Sequence, residues 1–158
     1  MTGSTRHRLA ALLGTGLSAL ALGCAQTQAG PDQAASSDEN LVATMQVETG
    51  ANAVQLTLHV TNTSSSPIEL QFSSGQRYDF RVTTVDDSSP DETLWTWSAD
   101  KSFMQALGTE TLPPGGTLRY TEAWPTGGRT GEFIGIGEIT STNRPVRQLV
   151  RFELTGEE

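Results

Sequence analysis

From residue 41 onward, apolar and polar residues alternate along most of the chain with a period of two. Val54, Leu56, Leu58 and Val60 interleave with Gln55, Thr57, His59 and Thr61. Successive side chains of a strand point to opposite faces, so this spacing predicts a strand over 53–62 with one buried face. A further strand over 41–48 precedes it across a turn at 49–52. Ile68, Leu70 and Phe72 alternate with Glu69 and Gln71, and after a polar break the pattern resumes at Tyr78, Phe80 and Val82 against Arg77, Asp79 and Arg81. Two alternating runs across Ser73, Ser74, Gly75 and Gln76 predict a β-hairpin over 68–82.

The same reading continues to the end of the chain. Strands are expected over 93–98, over 109–112 and 117–124 across a turn at 113–116, over 132–139 and over 146–154. In the last of these, Val146, Val150, Phe152 and Leu154 share a face, with only Gln148 out of pattern. The stretch 99–108 is less regular, with a short helical turn expected around 103–107. No long helical period occurs. Eight or nine short strands at spacings of about 8–12 residues point to an all-β fold, an immunoglobulin-like antiparallel β-sandwich, with a closed barrel as the alternative. The cysteine pair of antibody domains is absent, so only the architecture is implied.

The first forty residues do not follow this pattern. Arg6, His7 and Arg8 precede an apolar, small-residue run over 9–22, which describes a secretory signal and is shorter than the roughly 20 apolar residues a spanning helix needs. Ala21, Leu22, Gly23 and Cys24 resemble the lipobox of bacterial lipoproteins, with Ala21 and Leu22 in the reverse of the usual order. That resemblance implies cleavage before Cys24 and lipidation of its sulfur; the alternative is a plain signal peptide that leaves an unpaired thiol. Several acyl chains on one terminus anchor a protein firmly to a membrane. Ala25, next in line, resembles the residue of lipoproteins sent to an outer membrane where the host has one. The segment 25–40 carries no aromatic or β-branched aliphatic residue and reads as a flexible spacer. The expected organisation is therefore a signal peptide over 1–23, a lipidated cysteine and linker over 24–40, and one β-domain over 41–158.

Charge narrows the partners. The formal net charge is -8, and loss of Arg6 and Arg8 with the signal leaves 8 basic against 18 acidic residues. Nucleic acid is a poor fit for such a surface, because its binding rests on Lys and Arg neutralising phosphates. Catalysis is not expected either. His59 is the single histidine of the mature chain, alternates with Leu58 and Val60 on the wet side, and has no partner at a triad or metal-ligand spacing. Asp86, Asp87, Asp91 and Glu92 crowd one loop without the order of ligands and glycine of an EF-hand, which favours a solvated acidic loop over a metal site. No cofactor is implied.

Candidate binding residues are Arg77, Asp79, Trp95 and Trp97. If Tyr78 and Phe80 point inward, Arg77, Asp79 and Arg81 point outward, available to a partner or to a cross-strand ion pair or turn brace. Trp95 and Trp97 fall on one face of the expected strand, as a sugar or peptide platform or as core packing. The glycine-rich loop over 127–131 opens no helix and so is no phosphate cradle. Gly135 and Gly137 share a strand face and leave a gap suited to close backbone contact.

Asn62 and Thr63, the run Ser74, Gly75, Gln76, Arg77, Tyr78, Asp79 and Phe80, then Trp95, Trp97 and Ser98, Phe103, Gln105 and Ala106, and finally Leu112, Pro114, Gly115 and Trp124 resemble the BsuPI domain. That family is named for an intracellular serine-proteinase inhibitor. The resemblance covers about 41–154, with 74–80 its most specific part. It implies a β-sandwich and a protein partner, a serine proteinase among the candidates, and it assigns no inhibitory residues. An inhibitor docks a rigid loop into a protease cleft, and the loops over 86–92, 99–108 and 126–131 are the ones to consider. The alternative is a non-inhibitory structural or glycan-binding lipoprotein of the envelope.

Overall fold

The computed structural model describes residues 39–85 and 92–156. The expected signal peptide, Cys24, most of the linker, and Asp86, Asp87 and Asp91 lie outside the described residues. Among the described residues nine strands follow one another: β1 (Leu41–Thr49), β2 (Ala53–Asn62), β3 (Ile68–Phe72), β4 (Tyr78–Thr84), β5 (Thr93–Thr96), β6 (Gly108–Leu112), β7 (Thr117–Pro125), β8 (Gly131–Ile139) and β9 (Val146–Leu154). A single 3-10 turn, Trp97–Asp100, separates β5 from β6. Every pairing is antiparallel, in the orders β1-β2-β7, β3-β6 and β5-β4-β8-β9.

The alternation read from the sequence is the alternation of burial. Val54, Leu56, Leu58 and Val60 from β2 meet Phe80 and Val82 from β4 and Phe133 and Ile139 from β8 in one apolar core. Each of these side chains leaves water almost completely, which stabilises by about 1.5–3 kcal/mol apiece. The fold is an antiparallel β-sandwich. Gln148, out of pattern in the sequence, points inward with its apolar neighbours, and its Nε2 donates to the Ala43 carbonyl at 2.8 Å. That bond links β9 in one sheet to β1 in the other. Gly135 and Gly137 leave room for Met45: a Cβ at either position would lie 3.2 or 3.3 Å from the methionine's terminal atoms.

Neighbour relations differ from the sequence expectation in two places. The expected hairpin over 68–82 does not form: β3 pairs with β6, whereas β4 lies between β5 and β8. The chain crosses between sheets at 73–77, so the apolar faces of both strands enter the same core. A period of two identifies the buried face of a strand and is silent on which strand lies beside it. The strands over 109–112 and 117–124 also do not pair with each other. Instead β6–β3 prolongs the β7–β2 ladder past a kink, with Thr61 opposite Thr117 and then Ile68 opposite Leu112.

Asn62 holds that kink. It is fully buried, and its Nδ2 donates to the carbonyls of Ser66 at 2.8 Å and Leu112 at 2.9 Å. Its Oδ1 accepts from the Ser64 amide at 2.9 Å and the Ser64 hydroxyl at 2.7 Å. The backbone on the opposite side turns at Gly115, whose φ of 70° favours glycine.

The strand expected over 93–98 ends at Thr96, and the helical turn expected around 103–107 lies instead at Trp97–Asp100. The cause is Asp79. Its carboxylate accepts from the Ser98 amide at 3.1 Å and the Ser98 hydroxyl at 2.5 Å, which draws the chain out of the sheet into the 3-10 turn. Trp95 and Trp97 consequently do not share a strand face: Trp95 is in β5 opposite Val82, and Trp97 opens the turn.

Candidate functional site

The segment 101–107 between the 3-10 turn and β6 has no repeating backbone structure and is exposed along most of its length. Among the described residues, the large apolar side chains left in water are Val42, Met104 and Leu107, and the last two lie here at 77% and 90% exposure. Two apolar side chains this exposed on one short connecting loop are available to a partner.

The segment is mounted at three points. At its start, the Phe103 ring packs on Trp97 with centroids 5.8 Å apart. Trp97 stacks on Tyr78 at 4.4 Å, and Tyr78 stacks in turn on Tyr120 of β7 at 4.2 Å. Lys101 lays its ammonium over the Trp97 ring at 4.7 Å and pairs with Asp100 at 3.1 Å. Each ring contact of this kind adds about 0.5–1.5 kcal/mol beyond burial.

In the middle, the Met104 carbonyl accepts from the Gly75 amide at 2.7 Å and the Ala106 amide at 3.0 Å. At the end, Gly108 rests on Arg77. A Cβ there would stand 2.6 Å from the Arg77 Nη2, so only glycine fits while the arginine stays in place. Arg77 is held by the Ser74 carbonyl, which its Nη1 reaches at 2.7 Å, and by the Phe72 ring 4.3 Å below its guanidinium. Its Nε lies 3.9 Å from Glu110, a separation at which an exposed pair adds little.

Two tyrosines border the mount. The Tyr78 hydroxyl donates to Glu122 at 2.5 Å, and burial followed by that carboxylate's hydrogen bond and charge moves its pKa well above the ordinary value. Burial, with Glu110 adding and Arg77 opposing, pushes Tyr120 up to about 12. Both phenols stay neutral at physiological pH and act here as stacking surfaces.

The expected site residues thus divide by role. Arg77 and Asp79 lie beneath the segment as braces; Asp79 faces outward yet is only 8% exposed, because the Ser98 turn covers it. Trp97 is a half-buried anchor already engaged by Tyr78, Phe103 and Lys101, and Trp95 is half-buried against the core. Trp97, stacked on Tyr78 and covered by the Lys101 ammonium, offers no open ring platform of the kind a sugar uses. Arg81 pairs with Glu138 across β4 and β8 at 2.8 Å, apart from this site. His59 is half-buried on the outer side of β2 between Thr44 and Arg119. Among the described residues no group of three or more His, Cys, Asp or Glu could hold a metal ion. The loop at 126–131 is a compact turn closed by the Arg129 side chain on the Thr126 carbonyl at 3.0 Å. Met104 and Leu107 were not singled out from the sequence; the signal for them was a break in alternation that keeps large apolar residues.

Comparison with known proteins adds the following. The family profile described as BsuPI, intracellular proteinase inhibitor, matches residues 41–144. No curated protein sequence matches the chain. Among solved structures, the C-terminal domain of wzt is similar with a TM-score of 0.51 at 10% identity, over 82% of each chain. A structural genomics target, SoR45, gives a TM-score of 0.41 at 17% identity over 76% of this chain and 89% of its own. β-Glucosidase 3B from Thermotoga neapolitana in complex with α-D-glucose gives 0.43 at 12% identity over 74% of this chain and 16% of the enzyme. At such identities the first likeness speaks for the β-sandwich alone.

Proposed function

The chain belongs to the BsuPI family of intracellular proteinase inhibitors, and on that premise we propose that it is a non-enzymatic, lipid-anchored inhibitor that places the segment 101–107 in the cleft of a serine proteinase. One observation carries this reading. The residues by which the chain resembles its family, Gly75, Arg77, Asp79, Trp97, Ser98 and Phe103 among them, converge on the mount of a single exposed segment. An inhibitor needs such a mount, because a loop already held in its bound conformation loses little entropy on docking. The stacked rings, the Gly75–Met104 bond and Arg77 under Gly108 fix 101–107 from both ends.

The N-terminal sequence supports an address for this inhibitor. Arg6, Arg8, the apolar run and Cys24 at a lipobox-like position favour export and acylation, with 25–40 as a tether that leaves the domain free to reach an enzyme. The inhibitor would then act at the cell envelope, outside the compartment its family is named for.

Titration of the full-length chain against serine proteinases tests the reading. The expected result is stoichiometric, saturable loss of activity with the inhibitor left intact. Absence of inhibition by a folded chain would overturn it. Detergent-phase partitioning tests the anchor separately: the wild type enters the detergent phase and Cys24→Ser stays in the aqueous phase.

A further inference from the structure

We propose, resting on the inhibitor reading, that Leu107 is the side chain that fills the primary specificity pocket of the proteinase, and that this pocket is apolar. The backbone of the segment decides between Leu107 and Met104. A proteinase cleft reads an inhibitor as an added strand, through the main-chain groups of alternate residues. The Met104 carbonyl is turned inward to Gly75 and Ala106, and the Ala106 amide is spent on Met104. Among the described residues nothing bonds to the main chain of Gln105 or Leu107. The main-chain groups of Gln105 and Leu107 are therefore the ones left to a partner. Met104 cannot present its carbonyl to oxyanion donors while that carbonyl is held by Gly75.

Leu107 also has the greater exposure, 90% against 77%. It directly precedes a fixed residue, since Gly108 pairs with Phe72 in the β3–β6 ladder and backs onto Arg77. The Leu107–Gly108 bond therefore joins a residue with a free side chain to one whose backbone is clamped. Hydrolysis there breaks the C–N bond, takes up one water and leaves a Leu107 carboxylate and a Gly108 ammonium that carries the released proton, and the clamp keeps that new terminus beside the carboxylate instead of releasing it. The pocket must be apolar because no cation is on offer: Lys101, the one lysine, is committed to Asp100 and Trp97, and Arg77 is beneath the segment.

The test compares the full-length wild type with Leu107→Ala, Leu107→Lys and Met104→Ala against chymotrypsin and subtilisin, which have apolar pockets, and trypsin, whose pocket is acidic. Wild type inhibits one or both of the first two, and Leu107→Ala weakens that inhibition about 30-fold or more, as loss of a pocket-filling side chain does. Leu107→Lys moves inhibition to trypsin, and Met104→Ala, also in the docked segment, weakens inhibition less than Leu107→Ala does, since side chains outside the pocket contribute less. Mass spectrometry after an incubation far longer than the titration finds any cleavage at 107–108, and cleavage at another bond of the segment overturns the assignment. Inhibition that survives at Leu107→Ala, or falls instead at Met104→Ala, overturns this assignment and leaves the inhibitor reading standing. A wild type that inhibits none of the enzymes, nor any other serine proteinase, overturns that reading itself. Thermal unfolding of each variant keeps the comparison to folded chains.

Discussion

Replacing Asp79 by alanine removes the carboxylate that converts the end of β5 into the 3-10 turn. The side chain is buried and accepts from the Phe80 amide at 2.9 Å, the Ser98 amide at 3.1 Å and the Ser98 hydroxyl at 2.5 Å. Hydrogen bonds to a charged partner are worth about 1.5–3 kcal/mol each. The Ser98 groups regain some water as the turn loosens, so the expected loss is about 2–4 kcal/mol. Asparagine keeps one acceptor for the amides and can donate to the Ser98 hydroxyl, so Asp79→Asn should lose about 1–2 kcal/mol. Urea unfolding followed by tryptophan fluorescence measures both, and the slope should be unchanged because the unfolded state exposes the same surface. Trp97 and Phe103 depend on the turn, so amide exchange at Gly75 should quicken in Asp79→Ala. A change within about 0.5 kcal/mol of wild type, the level of an ordinary surface substitution, would refute the argument. A double-mutant cycle with Ser98→Ala then isolates the pair, with coupling expected near 1–2 kcal/mol.

Three further outcomes are expected. Both tyrosines of the chain, Tyr78 and Tyr120, have folded-state pKa values raised above the unfolded value near 10, Tyr120 to about 12. Their contribution to stability is complete below pH 10 and is lost as pH rises from about 10 toward 12, where the unfolded chain ionises first. Absorbance at 295 nm should therefore report phenolate only together with unfolding; a tyrosine that titrates near 10 in the folded domain would count against the burial assigned to it. Asn62→Asp puts an acceptor where Nδ2 now donates to Ser66 and Leu112, and should destabilise by about 3 kcal/mol or more in urea. A loss near zero would mean that the kink does not rest on Asn62. Gly137→Ala places a Cβ 3.0 Å from Phe80 and 3.3 Å from Met45, at a cost of about 1–3 kcal/mol. Adding Met45→Ala should recover part of that cost, and simple additivity would disprove the packing contact.

Strand positions were legible because each is half wet: Leu56 and Leu58 could be told from Gln55 and His59 by side-chain type alone. Pairing was not legible in the same way. The runs at 68–72 and 78–84 have the composition of a hairpin, and their assignment to different sheets depends on β6 and β8, far away in the chain. The end of β5 was equally hidden, since Trp95 and Trp97 obey the strand period until Asp79, sixteen or more residues earlier, takes the Ser98 amide. A buried carboxylate between two tyrosine- and phenylalanine-bearing positions reads as a surface residue by parity, and it is on the outer face; what covers it is a turn that local pattern does not foresee.

The same distinction separates the two kinds of residue at the exposed segment. Gly75, Arg77, Trp97, Ser98 and Phe103 carry the family resemblance and hold the segment, whereas Met104 and Leu107 form no part of that resemblance and stand in water. Gln105 and Ala106 belong to it and lie between them, the second with its amide bonded to the Met104 carbonyl. On the proposed reading, substitutions in the first group would act through the position of the segment and so alter binding to every proteinase alike. A substitution at Leu107 would leave the mount untouched and change which proteinase is bound. That separation of placement from choice is what a scaffold needs if a rigid loop is to be presented to a cleft without the core depending on what the cleft prefers.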